Sequence, residues 1–347
     1  MRARHFLWAS VVACLGAVGG VSADPREPLL AALSKQAAEA EAAKRVTVVG
    51  KSGWLFPRYE LRAISVGPFW GEDATKVSRA SRNPDPLPAL VDLSEQCKKV
   101  GAKLVVVPVP PKVSVYPEAL LENVPKDLPR LDRHHQAFYA LLREKGVEVV
   151  DLQPLFYAKR NDEGGLMYCR QDAHWSSYGS KLAAEAVAAT VAGEEWVKTA
   201  GGKSYTQDKK PLEITGDLFP EAKATGGATK KESLPIYYSG LKNGEWIEPV
   251  PIDRESPVLV LGDSHAKVFH DGGKYHSRAA GLPDHLAQAM GMPVDMLASD
   301  GSASYTVRLD LYRRKDQLKG KKLVIYCFTF REFTETLSGW RPLPIVK

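Results

Sequence analysis

One pattern repeats along this chain: a helical stretch, a glycine, and an apolar β-branched run. The helical stretch Pro88–Val100 stops at Gly101 and gives way to Lys103-Leu-Val-Val-Val-Pro-Val-Pro; the stretch Leu131–Lys145 stops at Gly146 and gives way to Val147–Leu152. A continuous apolar run of this length reads as a strand buried on both faces, the signature of a parallel sheet rather than of a half-exposed antiparallel one. Further strands are expected at Val258–Leu261, Val294–Ala298 and Leu323–Phe328, with helices from about Ser176 to Val191, at Leu282–Met290 and at Tyr305–Leu318. Strands alternating with helices give an α/β fold, a parallel sheet with helices on both faces. Ligands of such sheets gather beyond the carboxyl ends of the strands.

The segment 199–251 breaks the pattern with Gly201-Gly202, Lys209-Lys210, Gly226-Gly227 and Lys230-Lys231, and reads as a long insertion near the site. The stretch Glu27–Arg45 is rich in helix formers but poor in large apolar residues, which suggests a surface helix leading into the domain. Before it, Arg2 and Arg4 precede an apolar run from Phe6 to Val21 that ends in Val21-Ser22-Ala23, the plan of a secretory signal peptide spanning 1–23. Residues 24–347 then form one domain. A lipobox at Val11-Val12-Ala13-Cys14 is the rival reading, with Cys14 acylated and the protein anchored. Either way the expected location is periplasmic or secreted.

With 47 Lys and Arg against 41 Asp and Glu, the chain is only mildly basic, which argues against a nucleic-acid partner. Cys97, Cys169 and Cys327 follow the leader, an odd number, so at most one internal bridge forms. Buried, apolar cysteines are the simpler expectation. Their spacing does not resemble a zinc site, and Gly50-Lys51-Ser52 lacks the earlier glycine of a phosphate-binding loop, so no metal or other cofactor is expected.

Gly262-Asp263-Ser264 stands immediately after the strand Val258–Leu261, in a turn that projects a side chain from the sheet's carboxyl edge. A serine there can act as a nucleophile, but needs a base. The same triplet is equally an ordinary turn with a helix cap. Gln171-Asp172-Ala173-His174-Trp175 supplies a possible base. In extended backbone, residues two apart point to the same side, so the Asp172 carboxylate can orient the His174 imidazole.

Together these motifs resemble the SGNH-hydrolase-like domain of the alginate O-acetyltransferase family, AlgJ and AlgX, in which Asp-x-His-Trp precedes the serine block. Ordinary SGNH esterases carry the serine first, so the order here is similar to a permuted branch. Gly50–Phe56, Val105–Leu120 with its Pro-Lys and Tyr-Pro, Gly216-Asp217-Leu218 and the run from Tyr326 to Phe333 agree with it. The resemblance implies a flavodoxin-like SGNH fold with insertions. It further implies Ser264 as nucleophile, His174 as general base and acid, and Asp172 as the orienting carboxylate, with an acetyl-serine intermediate and a polysaccharide acceptor. It also implies a membrane O-acyltransferase partner as acetyl donor. Oxyanion donors would be the Ser264 N–H and, by analogy with the SGNH glycine block, Gly301; no Gly-x-Asn-Asp block is present. Arg331 would be a cation near the site or one half of a surface ion pair, while Trp175 and Tyr178 would pack on a sugar ring or, for Trp175 more simply, in the core. His265 is expected to face solvent.

Other readings remain open at this level. Water attack on the same intermediate would make a carbohydrate acetylesterase, and an idle triad a polysaccharide-binding or assembly protein. An α/β-hydrolase would need its histidine after the serine, where His270, His276 and His285 are available. A metal site could use His270, Asp271 and His276, although a polar loop explains their irregular spacing better.

Overall fold

A computed structural model describes residues 24–227, 230–301 and 303–347. The expected leader, its cleavage point and Cys14 lie outside the described residues. Strands β1 (Thr47–Val49) and β2 (Leu55–Pro57) form a short antiparallel pair, followed by β3 (Lys103–Val109) and β4 (Glu148–Val149). Next come β5 (Thr206–Ile214), β6 (Glu232–Asn243) and β7 (Trp246–Glu248), then β8 (Val258–Gly262), β9 (Asp295–Ala298) and β10 (Leu323–Thr329).

The five apolar runs build one parallel sheet in the order β4-β3-β10-β8-β9. Alternate residues of each strand feed opposite cores. Val105, Val107, Val258, Val260 and Ile325 enter one, and Leu104, Val106, Leu259, Leu261 and Val324 the other. That two-sided burial explains why the runs are apolar at every position rather than at every second one. Counted from β8 through β9 and β10 and then on to β3 and β4, the same spatial order reads 2-1-3-4-5, the flavodoxin-like winding. The chain therefore runs through that fold from a different starting point, with the strand that precedes Ser264 late in the sequence.

Several expectations shift in detail. The first helix, Glu27–Ala42, does not lie wholly on the surface, because Leu29, Leu30, Leu33, Ala37 and Ala40 bury one face. Small side chains suffice there. The strand expected over Val147–Leu152 pairs only at Glu148 and Val149. A π-helical turn at Ala303–Val307 and a helix at Arg308–Arg314 replace the single helix expected to run to Leu318. Within 199–251 lies a three-stranded antiparallel sheet, β5-β6-β7. Its strand signal was hidden because β5 is largely exposed and carries Lys209-Lys210-Pro211, with Pro211 opposite Pro235. Among the described residues no helix is long and apolar enough to cross a membrane. Cys97, Cys169 and Cys327 are all free and buried.

Candidate active site

Ser264 opens a 3-10 turn, Ser264–Ala266, directly beyond the end of β8. Asp263 fixes that turn. One of its carboxylate oxygens accepts from the His265 N–H at 2.8 Å, and the other from the Thr329 N–H at the end of β10 at 2.8 Å. The cap that a bland reading of Gly-Asp-Ser required is thus present, and it clamps the serine turn to the neighbouring strand. Burial would raise the Asp263 pKa, but His265 and the two N–H donors outweigh it and hold the carboxyl down at about 2.

His174 and Asp172 arrive on a strap from Met167 to Ser176 whose two ends pair, with the Ser176 N–H donating to Met167 O at 2.9 Å and the Cys169 N–H to His174 O at 3.3 Å. Ser176 then caps the helix Ser177–Ala189, its hydroxyl accepting from the Gly179 N–H. The strap crosses the sheet's carboxyl edge. Lys112, just past β3 and fully buried, holds it there by donating to Asp172 O at 2.5 Å and to Leu55 O at 2.8 Å. Burial lowers the Lys112 pKa, partly opposed by Glu60, whose own carboxyl burial pushes up to about 7.

The side chains of Ser264, His174 and Asp172 meet although the first two are 90 residues apart in sequence. His174 Nε2 lies 2.7 Å from Ser264 Oγ, and His174 Nδ1 lies 2.6 Å from Asp172 Oδ1. Asp172 is 1 % exposed and accepts two hydrogen bonds on each oxygen. Oδ1 takes the His174 backbone N–H and ring Nδ1, and Oδ2 takes the Asp217 N–H at 2.8 Å and His276 Nε2 at 3.0 Å. Burial alone would raise the Asp172 pKa, but His174 and His276 overcome it and keep the carboxyl well below its ordinary range. Burial would likewise lower the His174 pKa, yet Asp172 pushes it up to about 9. This is the arrangement in which a carboxylate favours an imidazolium and an imidazole faces a hydroxyl.

Asp172, His174 and Asp217 present ligand atoms within 4.8 Å of one another. The Asp172 oxygens and His174 Nδ1 are, however, already committed to the hydrogen bonds above, so the cluster suits proton chemistry better than a metal ion.

The remaining sequence candidates separate. His265 does not face solvent: it is 3 % exposed, its Nδ1 is 3.1 Å from Asp263 Oδ1, and its ring packs against His174 and edge-on against Trp175. Trp175 is fully buried and donates from Nε1 to His265 O at 3.1 Å, so it backs the serine turn from the core and offers no face to a sugar. Tyr178 stacks on Tyr237 and its hydroxyl meets Asp162 at 3.4 Å; its contacts are not with Ser264, His174 or Asp172. Gly301 occupies an exposed turn after β9 with φ +66°. Arg331, half-buried after β10, stacks over Tyr59 at 5.7 Å, and among the described residues its guanidinium makes no ion pair, contrary to the surface-pair alternative. His270 bonds Asp284 at 2.8 Å while His276 bonds Asp172, so the two histidines serve different carboxylates instead of one metal. The histidine paired with Ser264 lies before it in sequence, which removes the α/β-hydrolase order. Sequence reasoning did not assign the contacts that Asp263, Lys112, Asp217 and His276 make here, although Lys112 and Asp217 stand in the stretches Val105–Leu120 and Gly216–Leu218 that carry the family resemblance, His276 among the histidines after the serine, and Asp263 in a capping pattern.

Comparison with known proteins follows the same lines. The family model for the SGNH hydrolase-like domain of the acetyltransferase AlgX matches residues 47–328. Similar curated proteins include three named probable alginate O-acetylase AlgJ. That of Pseudomonas syringae pv. tomato is 29 % identical over 172 residues, 49 % of this chain and 40 % of that protein. That of Pseudomonas fluorescens is 26 % identical over 291 residues, 82 % of this chain and 67 % of that protein. That of Azotobacter vinelandii is 29 % identical over 296 residues, 82 % of this chain and 69 % of that protein. The chain thus spans less than half of the P. syringae relative. The O-acetyltransferase domain of Pseudomonas putida AlgJ superposes with a TM-score of 0.62 at 21 % identity, covering 86 % of this chain and 96 % of that one. Pseudomonas aeruginosa AlgX does so with a TM-score of 0.58 at 20 % identity, covering 82 % and 61 %. At these identities the structural likeness is one of fold.

Proposed function

Because the chain belongs to the SGNH hydrolase-like acetyltransferase family of AlgX, we propose that it is an O-acetyltransferase acting on an extracytoplasmic polysaccharide, alginate or a polymer of similar chemistry, with Ser264 as the nucleophile. The observation that carries this reading is the unbroken line Ser264 Oγ, His174 Nε2, His174 Nδ1, Asp172 Oδ1, with contacts of 2.7 and 2.6 Å at the carboxyl edge of a parallel sheet. The curated relatives' name supports the choice of polymer.

In the first half-reaction His174 takes the Ser264 proton as Oγ attacks the acetyl carbonyl of the donor. The tetrahedral intermediate collapses, the donor's leaving group departs with the proton from His174, and an acetyl ester remains on Ser264. In the second, His174 deprotonates a sugar hydroxyl, which attacks the ester. The product is an acetylated sugar, and Ser264 regains its proton. Asp172 fixes the imidazole's tautomer and stabilises its charged form in both steps. Ser264 opens its helical turn, so its backbone N–H has no acceptor within that turn and is the first candidate to face the oxyanion. Arg331, whose guanidinium makes no ion pair among the described residues, is available for an anionic group of the polymer. The acetyl donor in this reading is a membrane O-acyltransferase partner.

The test uses the purified protein with a chromogenic acetyl ester, with and without added polysaccharide. Acetyl transfer to the glycan that Ser264→Ala abolishes is the expected result. Ester cleavage untouched by the substitution would remove the serine mechanism. Cleavage without transfer would mark a plain acetylesterase, and binding of polymer without either would mark a binding protein.

A further inference from the structure

The segment between the serine turn and the helix Leu282–Met290 is held in a conformation that most side chains avoid. Phe269, His276 and Ala279 have φ of 62°, 72° and 58°, a region non-glycine residues rarely occupy unless the surroundings enforce it. His276 is the extreme case. With φ 72° and ψ −65° it sits at the centre of a three-residue γ-turn closed by the Ser277 N–H donating to Tyr275 O at 2.9 Å, the rare and strained form of that turn. The enforcing contacts are visible. The Phe269 N–H donates to Tyr275 O and the Ala280 N–H to Phe269 O, both at 2.9 Å. Tyr275 Oη donates to Asp300 at 2.5 Å, and the Phe269 ring lies against the His276 ring.

What this conformation achieves is placement. It brings His276 Nε2 to 3.0 Å from Asp172 Oδ2, across 104 residues of sequence, and leaves the side chain 7 % exposed. Strained backbone is worth a functional explanation when the strained side chain reaches a reactive group, and here it reaches the carboxylate that faces His174. A polar loop that only needed to turn would be more relaxed with glycine at this position.

We propose that His276 is a positioning residue: by donating from Nε2 to Asp172 Oδ2 it fixes the plane of the carboxylate, so that Oδ1 stays in line with His174 Nδ1 and the imidazole stays aimed at Ser264. The triad then has two histidines on one carboxylate, one facing the nucleophile and one bracing from behind. Without the brace, Oδ2 keeps only the Asp217 N–H, a single contact about which the carboxylate can rock. This inference rests on the serine mechanism proposed above.

Two variants of the full chain test it. In His276→Asn the amide is too short to reach Asp172, while asparagine tolerates positive φ and so keeps the loop folded. In His276→Gln the amide nitrogen extends to about the position of Nε2. The expected result with the chromogenic acetyl ester is a kcat about 10- to 100-fold lower in His276→Asn with KM unchanged. His276→Gln should stay within about threefold of wild type, and both variants should unfold near the wild-type temperature. A second readout needs no turnover: the low-field proton resonance of His174 Nδ1–H, assigned by its loss in His174→Gln, moves in His276→Asn and stays near the wild-type position in His276→Gln. Wild-type kcat and an unmoved resonance in His276→Asn would overturn the proposal, as would a His276→Gln variant as impaired as His276→Asn. Failure of the serine mechanism registers separately, as ester cleavage that survives Ser264→Ala, and the resonance still reports on the brace.

Discussion

Replacing Asp172 by Asn probes the electrostatic core of the site without changing its shape. The carboxylate opposes the burial of His174 strongly enough to take the imidazole from its ordinary 6.5 to about 9. That rise corresponds to roughly 3 kcal/mol in favour of the imidazolium, or about 300-fold in rate if the imidazolium is fully formed in the transition state. The carboxylate's own share is larger, since burial of the ring pulls the other way. The amide adds a geometric fault. If its NH2 group faces His174 Nδ1, the ring must carry its proton on Nε2, where it cannot accept from Ser264. If the NH2 group faces the other way, it meets the Asp217 N–H and His276 Nε2, both placed as donors. The expected loss in kcat is therefore between about 300-fold and the roughly 10⁴-fold seen when the aspartate of a serine-protease triad becomes asparagine. Steady-state cleavage of a chromogenic acetyl ester measures it on the plateau above about pH 9, where the ring is neutral in both proteins, and the pH at which activity levels off should shift lower as the imidazole loses its partner, which offsets part of the loss near neutrality. A plateau kcat within about threefold of wild type would refute the assignment of Asp172 as the charge that stabilises His174.

Four further outcomes follow from the same geometry. For the wild type, kcat/KM should climb about tenfold per pH unit and level off near the His174 value of about 9, because only the neutral ring accepts the serine proton. Since that pKa is raised on folding, its stabilising contribution is complete below about pH 6.5 and fades as pH rises toward 9. Thermal melts should thus show wild type losing stability relative to His174→Gln across that window. Gly216→Ala should cost more than tenfold in activity, because a Cβ there would lie 2.0 Å from Gln171 O and 2.7 Å from the Asp172 N, pushing the strap that carries the triad; unchanged activity would show that the strap tolerates displacement. Cys97, Cys169 and Cys327 should resist alkylation in the native protein and each react after denaturation, as mass spectrometry of the labelled peptides would reveal.

The central sheet was legible because each of its strands is buried on both faces and so is apolar throughout, as at Val105 to Val107 and Val258 to Leu261. β5 and β6 were not, because β5 is largely exposed and carries paired lysines while the buried positions of β6 include the polar Glu232 and Ser239, so neither shows a clean alternation of apolar and polar residues. The reversed order of the serine and histidine motifs is explained by the sheet: read from β8, the strands follow a familiar winding, and the chain merely begins elsewhere in it. Asp172 and His174 were readable as a pair from their spacing, although the backbone there bends where an extended one was expected, and Asp172 Oδ1 accepts the His174 N–H as well as its ring Nδ1. His265 was misjudged since position after a turn says nothing about what lies opposite, here Asp263, His174 and Trp175. The contacts of His276 and Lys112 with the strap could not be read for a related reason. Each acts on the strap from more than 50 residues away in sequence, and no local pattern encodes such a contact.

Trapping the covalent intermediate tests the serine mechanism most directly. The purified protein is mixed with a chromogenic acetyl ester, quenched in acid within one turnover, digested and weighed peptide by peptide. A single acetyl group is expected on the peptide containing Ser264, absent in Ser264→Ala and removed when a glycan acceptor is added before the quench. Turnover of the ester with that peptide unmodified at every time point, or an acetyl group that persists in Ser264→Ala, would contradict it.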